Sequence, residues 1–149
     1  MTKEVLISLK GLQSSMGSGE EQVEVIVAGE YYFRNNKHYL LYEEVMEGSD
    51  EKTKTIVKAA PDYMELTRKG AVSTHMVFEK DKKNTTYYYT PYGSILMGIE
   101  AQDVNVSVEE EAIAIDVKYV LDMNYEKVAD CRIQMYVRPK DGGGFSLLR

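Results

Sequence analysis

Along nearly the whole chain, apolar and polar residues alternate one by one, and turn-forming residues break the alternation at short intervals. Val23, Val25, Val27, Tyr31 and Phe33 share one parity, as do Ile113, Ile115, Val117, Tyr119, Leu121 and Met123, and then Ala129, Cys131, Ile133, Met135 and Val137. Successive side chains of an extended strand point to opposite faces, whereas an amphipathic helix repeats about every 3.6 residues, a period that no segment sustains. The pattern therefore demands antiparallel β structure with one buried face.

Turn chemistry divides the alternation into about ten strands. The first covers about Glu4 to Leu12, followed by a Ser-, Gly- and Glu-rich loop from Ser14 to Glu21. Strands over Gln22 to Arg34 and Lys37 to Met46 meet across Asn35-Asn36, a pair that tolerates the positive φ of a tight hairpin. Gly48-Ser49-Asp50, Pro61-Asp62 and Lys69-Gly70 then separate strands over Thr53 to Ala59, Tyr63 to Arg68 and Ala71 to Lys80. Thr85 to Thr90 and Ser94 to Val108 flank Tyr92-Gly93, and Asn124 to Lys127 joins the last two strands. Between Ile95-Met97-Ile99-Ala101 and Val104-Val106-Val108 the apolar parity switches, which predicts a β-bulge near Gln102-Asp103. A meander of this length leaves two bare edges unless it closes, so the expected architecture is an antiparallel up-and-down β-barrel. A two-sheet sandwich uses the same alternation and is the alternative. Residues 1–140 are expected to form this one domain, with 141–149 as a tail beyond Asp141-Gly142-Gly143-Gly144.

Composition narrows the function. A chain of 149 residues with 44% hydrophobic and 28% charged residues can bury a core without a disulfide or a metal. The net charge of −6 repels a phosphate backbone, so nucleic-acid binding is not expected. The strands carry too much charge on their outer parity for insertion into a membrane. A single cysteine and an N-terminus without a long apolar core point to the cytoplasm. Cys131 lies in an apolar row, where a thiol is inert. His38 and His75 fall on different strands and show no metal-ligand spacing, so no metal, cofactor or catalytic residue is assigned.

The run Thr55-Ile56-Val57-Lys58, then Arg68-Lys69-Gly70-Ala71-Val72 with Met76 and Phe78, preceded by Tyr31-Tyr32 and by Tyr39-Leu40 with Glu44, resembles the YwiB-like family. The resemblance runs from the first strand to about Val137 and implies a calycin-like, lipocalin-shaped barrel in a bacterial cytoplasm. It brings no catalytic residue, cofactor or substrate with it.

Polar residues on core-like parities mark the candidate site. Tyr42 and Glu44 follow Leu40, Lys58 follows Ile56, and Arg68 follows Met64 and Leu66. If these parities face inward, a carboxylate and two cations meet inside the barrel, where they survive only paired, hydrated or bound to a ligand. The chain has twelve tyrosines, and Tyr87 and Tyr89 share a strand face that would line the same pocket. Three function classes follow. The leading one is a non-catalytic barrel that binds a small amphipathic or anionic ligand. The second is a filled barrel serving as an interaction or structural module, self-associating as a homodimer. An enzyme acting at the barrel mouth is the weakest, because no nucleophile, base and orienting group can be named together.

Overall fold

Ten strands form where the alternation predicts them: β1 (Glu4–Lys10), β2 (Glu24–Arg34), β3 (Lys37–Val45), β4 (Lys52–Ala60), β5 (Tyr63–Lys69), β6 (Thr74–Glu79), β7 (Lys83–Thr90), β8 (Gly93–Glu109), β9 (Ala112–Met123) and β10 (Glu126–Pro139). The computed structural model describes residues 3–11, 24–45, 52–70, 73–90 and 92–140, and for 45 and 88–90 the backbone alone. The expected loop at Ser14 to Glu21, the turn at Gly48-Ser49-Asp50 and the tail 141–149 lie outside the described residues.

All pairings are antiparallel, in the order β6-β5-β4-β3-β2-β1-β10-β9-β8-β7. The first and last strands are laced together, from Val5 opposite Pro139 to Lys10 opposite Gln134. The sheet therefore closes almost completely, as a barrel rather than a sandwich. Its seam lies between β6 and β7, which are consecutive in the chain yet have no ladder between them among the described residues. There the Lys82 amide donates to Glu79 O (3.0 Å), and the Asn84 side-chain amide donates to Val77 O (3.3 Å). Inside the seam, the Phe78 ring meets the Tyr119 ring edge-on at 4.9 Å.

The expected local signals appear as geometry. Asn35 and Asn36 take φ of 54° and 62°, as a tight hairpin requires, and Asn124 and Tyr125 do the same at the β9–β10 turn (50° and 74°). The β8–β9 register shifts between Ala101 and Asp103, the bulge that the parity switch predicts.

The two ends of the barrel differ. At one end the strands are joined by the brief connections 35–36, 61–62, 80–82 and 110–111. At the other the connections are 11–23, 46–51, 70–73, 91–92 and 124–125, and the longest of them fall between β1 and β2 and between β3 and β4. The inward rows of β3–β6 run from floor to mouth in register. His38, Ala59, Met64 and Phe78 form one row, and Leu40, Val57, Leu66 and Met76 the next. With Val5, Ile7, Leu9, Ile113, Ile115, Ile133 and Met135 from the opposite wall, the apolar members of these rows pack into one core.

Candidate ligand-binding site

Above those apolar rows the inward face of β3–β6 turns polar. Tyr42 stands opposite Thr55, Thr55 opposite Arg68, and Arg68 opposite Thr74, so one row crosses four strands. One step nearer the mouth, Glu44 stands opposite Thr53. Two glycines make room for these rows. A Cβ at Gly29 would lie 2.6 Å from Leu41 O, 2.9 Å from Ile7 Cδ1 and 3.3 Å from Tyr42 Cβ. One at Gly70 would lie 2.5 Å from Lys52 O and 2.9 Å from Thr53 Oγ1. Only a bare backbone lets β2 at Gly29 and the chain just past β5 at Gly70 lie this close to their neighbours.

Arg68 Nη2 donates to Glu44 Oε1 at 3.0 Å, with only 22% and 15% of the two side chains exposed. Tyr42 is buried beneath this pair, and burial, helped by the Glu44 charge, pushes its phenol far above the ordinary range. Tyr42 therefore stays a neutral hydroxyl at any working pH. Among the described residues, the hydroxyls of Thr53, Thr55 and Thr74 have no hydrogen-bond partner, although these residues are only 1%, 1% and 9% exposed. The Thr55 hydroxyl acts on the neighbouring Tyr42 phenol, lowering its pKa against the larger effect of burial.

Tyr42, Glu44 and Arg68 are thus brought together as expected, and Lys58 and Tyr87 are not. The inward parity of β4 is Thr53, Thr55, Val57 and Ala59, which turns Ile56 and Lys58 outward. On the outer face, Lys58 Nζ lies 3.6 Å from Glu65 Oε1 and 5.6 Å from the Tyr39 ring centroid. Glu65 also accepts from Tyr63 (2.6 Å) and pairs with His75. Burial raises the Glu65 carboxyl, but these hydrogen bonds and the Lys58 charge outweigh it and hold the group below its usual value. Tyr87 is 52% exposed, because the half-buried parity of β7 belongs to Asn84 and Thr86 beside the seam. Tyr89 shares the strand parity of Tyr87, and its side chain lies outside the described residues.

The sequence reading missed the three threonines. Threonine is an ordinary strand former, and only the register sets Thr53, Thr55 and Thr74 beside Glu44, Tyr42 and Arg68.

At the floor, Tyr31 Oη and His38 Nδ1 are 2.8 Å apart, and Phe33 leans on the His38 ring at 4.8 Å. Burial lowers the His38 pKa. Cys131 lies on the inward parity as expected but is half-buried rather than buried, and its desolvation raises the thiol pKa. Among the described residues, no group of three or more His, Cys, Asp or Glu side chains is placed to hold a metal ion. No helix there is long and apolar enough to cross a membrane.

A family model described as a domain of unknown function (DUF1934) matches residues 7–135. The chain belongs to this family. Over 108 residues this DUF1934 chain is 28% identical to the "Uncharacterized beta-barrel protein YwiB" of Bacillus subtilis (strain 168), which covers 72% of this chain and 75% of that one. The crystal structure of the ywiB protein from Bacillus subtilis superposes with a TM-score of 0.75 at 23% identity, covering 92% of each chain. The resemblance read from the sequence and the β-barrel fold are both shown by these comparisons. The DUF1934 description assigns no chemistry, so the function must be argued from the site.

Proposed function

We propose that this DUF1934 protein is a non-catalytic, lipocalin-like barrel that binds a small amphipathic ligand, with the ligand's polar group seated among Tyr42, Glu44, Arg68 and the three threonines. Its site of action in this reading is the bacterial cytoplasm, a setting suited to a chain with one cysteine and hence no internal disulfide. The observation that carries the reading is the set of buried, unpartnered hydroxyls of Thr53, Thr55 and Thr74. Each such group costs about 1–3 kcal/mol when left without a partner, so three on one inward face favour a function over packing. They sit at the end with the longer connections and face a core that turns apolar one row below. Polar groups converging at the rim of an apolar interior are the usual features of a small-molecule site.

Native mass spectrometry of the protein purified from its own host tests this. The expected result is a bound small molecule in the wild type that is lost or depleted in Arg68→Met. A barrel that carries no small molecule, and whose melting temperature does not respond to short-chain amphiphiles, refutes ligand binding.

One observation favours the second reading, self-association. Tyr136 and Ile26 are both exposed and flank Ser8 on the outer face of β10, β1 and β2. Sedimentation equilibrium of wild type against Ile26→Lys separates a dimer held by this face from a monomer.

A further inference from the structure

The chemistry of the mouth is specific about the kind of polar group it suits, and this inference rests on the ligand-binding reading above. We propose that the head group is uncharged and carries several hydroxyls, a single sugar ring or a polyol of that size, rather than a carboxylate or phosphate.

Charge is the first argument. On the inward face of β3–β6 at this end, the Arg68 guanidinium already donates to the Glu44 carboxylate at 3.0 Å. An anionic head would compete with Glu44 for the same cation and would lie against a carboxylate in a partly dry site. A cationic head would meet Arg68 in the same way. Like charges in such a setting repel far more strongly than in water, so a neutral head avoids both conflicts.

Hydrogen-bonding capacity is the second. Each threonine hydroxyl can donate once and accept twice, and the buried Tyr42 phenol both donates and accepts. A carboxylate accepts only and would leave all the acceptor capacity of Thr53, Thr55 and Thr74 unused. Sugar hydroxyls donate and accept, and so complement both.

Spacing is the third. Thr53 and Thr55 are two residues apart on β4, which places their side chains about 7 Å apart along the strand. Thr55 and Thr74 face inward on strands two ladders apart, through Arg68, which separates them by roughly 10 Å. No single oxyanion touches three hydroxyls spread this widely. The several hydroxyls of one sugar ring or polyol can each take a different one of these partners, as one oxyanion cannot.

The test is isothermal titration calorimetry with three amphiphiles that share one tail, octyl glucoside, octanoate and octyl phosphate, each below its micelle concentration. The glucoside is expected to bind at least tenfold tighter than either anion. Thr55→Val and Thr53→Val are each expected to weaken it about tenfold. These nearly isosteric changes remove a buried hydroxyl that has no partner among the described residues, so both variants should fold and melt no lower than wild type without ligand. Tighter binding of octanoate or octyl phosphate would overturn the neutral head and leave the amphiphile reading standing. Binding of none of the three would overturn both. Glucoside binding unaffected by either valine would also overturn the proposal, because the head would then lie away from the threonines.

Discussion

Replacing Arg68 by methionine measures what the Arg68–Glu44 pair contributes to stability. The two groups meet at 3.0 Å with side chains only 22% and 15% exposed, so water replaces a lost partner poorly. A hydrogen bond between charged groups contributes about 1.5–3 kcal/mol net, and this geometry belongs in that range. Arg68→Met should therefore cost about 2–3 kcal/mol, because the Glu44 carboxylate loses its cation while its surroundings stay the same. Glu44→Gln should cost less, about 1 kcal/mol, since the amide oxygen still accepts from the guanidinium. The double variant should resemble Glu44→Gln more than the sum of the two, giving a coupling of about 1.5 kcal/mol. For a chain of this length the single Arg68→Met change corresponds to a fall in melting temperature of roughly 4–12 °C. Urea denaturation of the four proteins at neutral pH, checked by calorimetry, measures the cycle. A coupling within about 0.5 kcal/mol of zero would show that the pair is hydrated and additive, and would refute the partly dry mouth from which the site is argued.

Two further outcomes are expected. Burial holds the His38 pKa below its ordinary 6.5, so the unfolded chain binds more protons just below that value. Stability is therefore present above about pH 6.5 and falls as pH drops through the folded pKa; an NMR titration should place His38 below 6.5, and His38→Gln should flatten this limb. Gly29→Ala puts a methyl 2.6 Å from Leu41 O and against Ile7 and Tyr42. It should lower stability by about 1–3 kcal/mol in urea denaturation, and a neutral result would mean that β2 and β3 are further apart than described.

Much of the barrel was legible because several local signals agreed. Asn35-Asn36 marks a hairpin by its tolerance of positive φ, and the parity switch around Gln102-Asp103 marks a bulge because a curling strand must change face. Glu44 and Arg68 were legible as inward groups because each follows an unambiguous apolar parity. β4 was not, because Thr-Lys-Thr-Ile-Val-Lys-Ala-Ala has apolar residues on both parities. Reading Ile56 as core made Lys58 inward, whereas packing chose Val57 and Ala59, which made Thr53 and Thr55 inward. Tyr87 and Tyr89 share a strand face, but their run carries no apolar parity to show which face turns inward. The inward parity of β7 is more polar because the Asn84 side chain bridges the seam. Which residues face one another across four strands depends on register, and register arises from the closed sheet rather than from any one segment.

The position of the seam has a consequence for how the chain can be ordered. Val5 stands opposite Pro139, so the two ends of the barrel chain already lie side by side, while the connection 80–82 crosses the junction that, among the described residues, has no ladder. A circular permutant that joins the present ends and opens at that connection would begin with β7 and finish with β6. In the native order, the β1–β10 ladder must wait for nearly the whole chain to be made before it can form. In the permuted order, every ladder would link strands that are neighbours in sequence, and such local pairing generally speeds folding. The amide of Asp81 donates to Ala101 O at 2.9 Å, which would keep the opened connection tethered to β8.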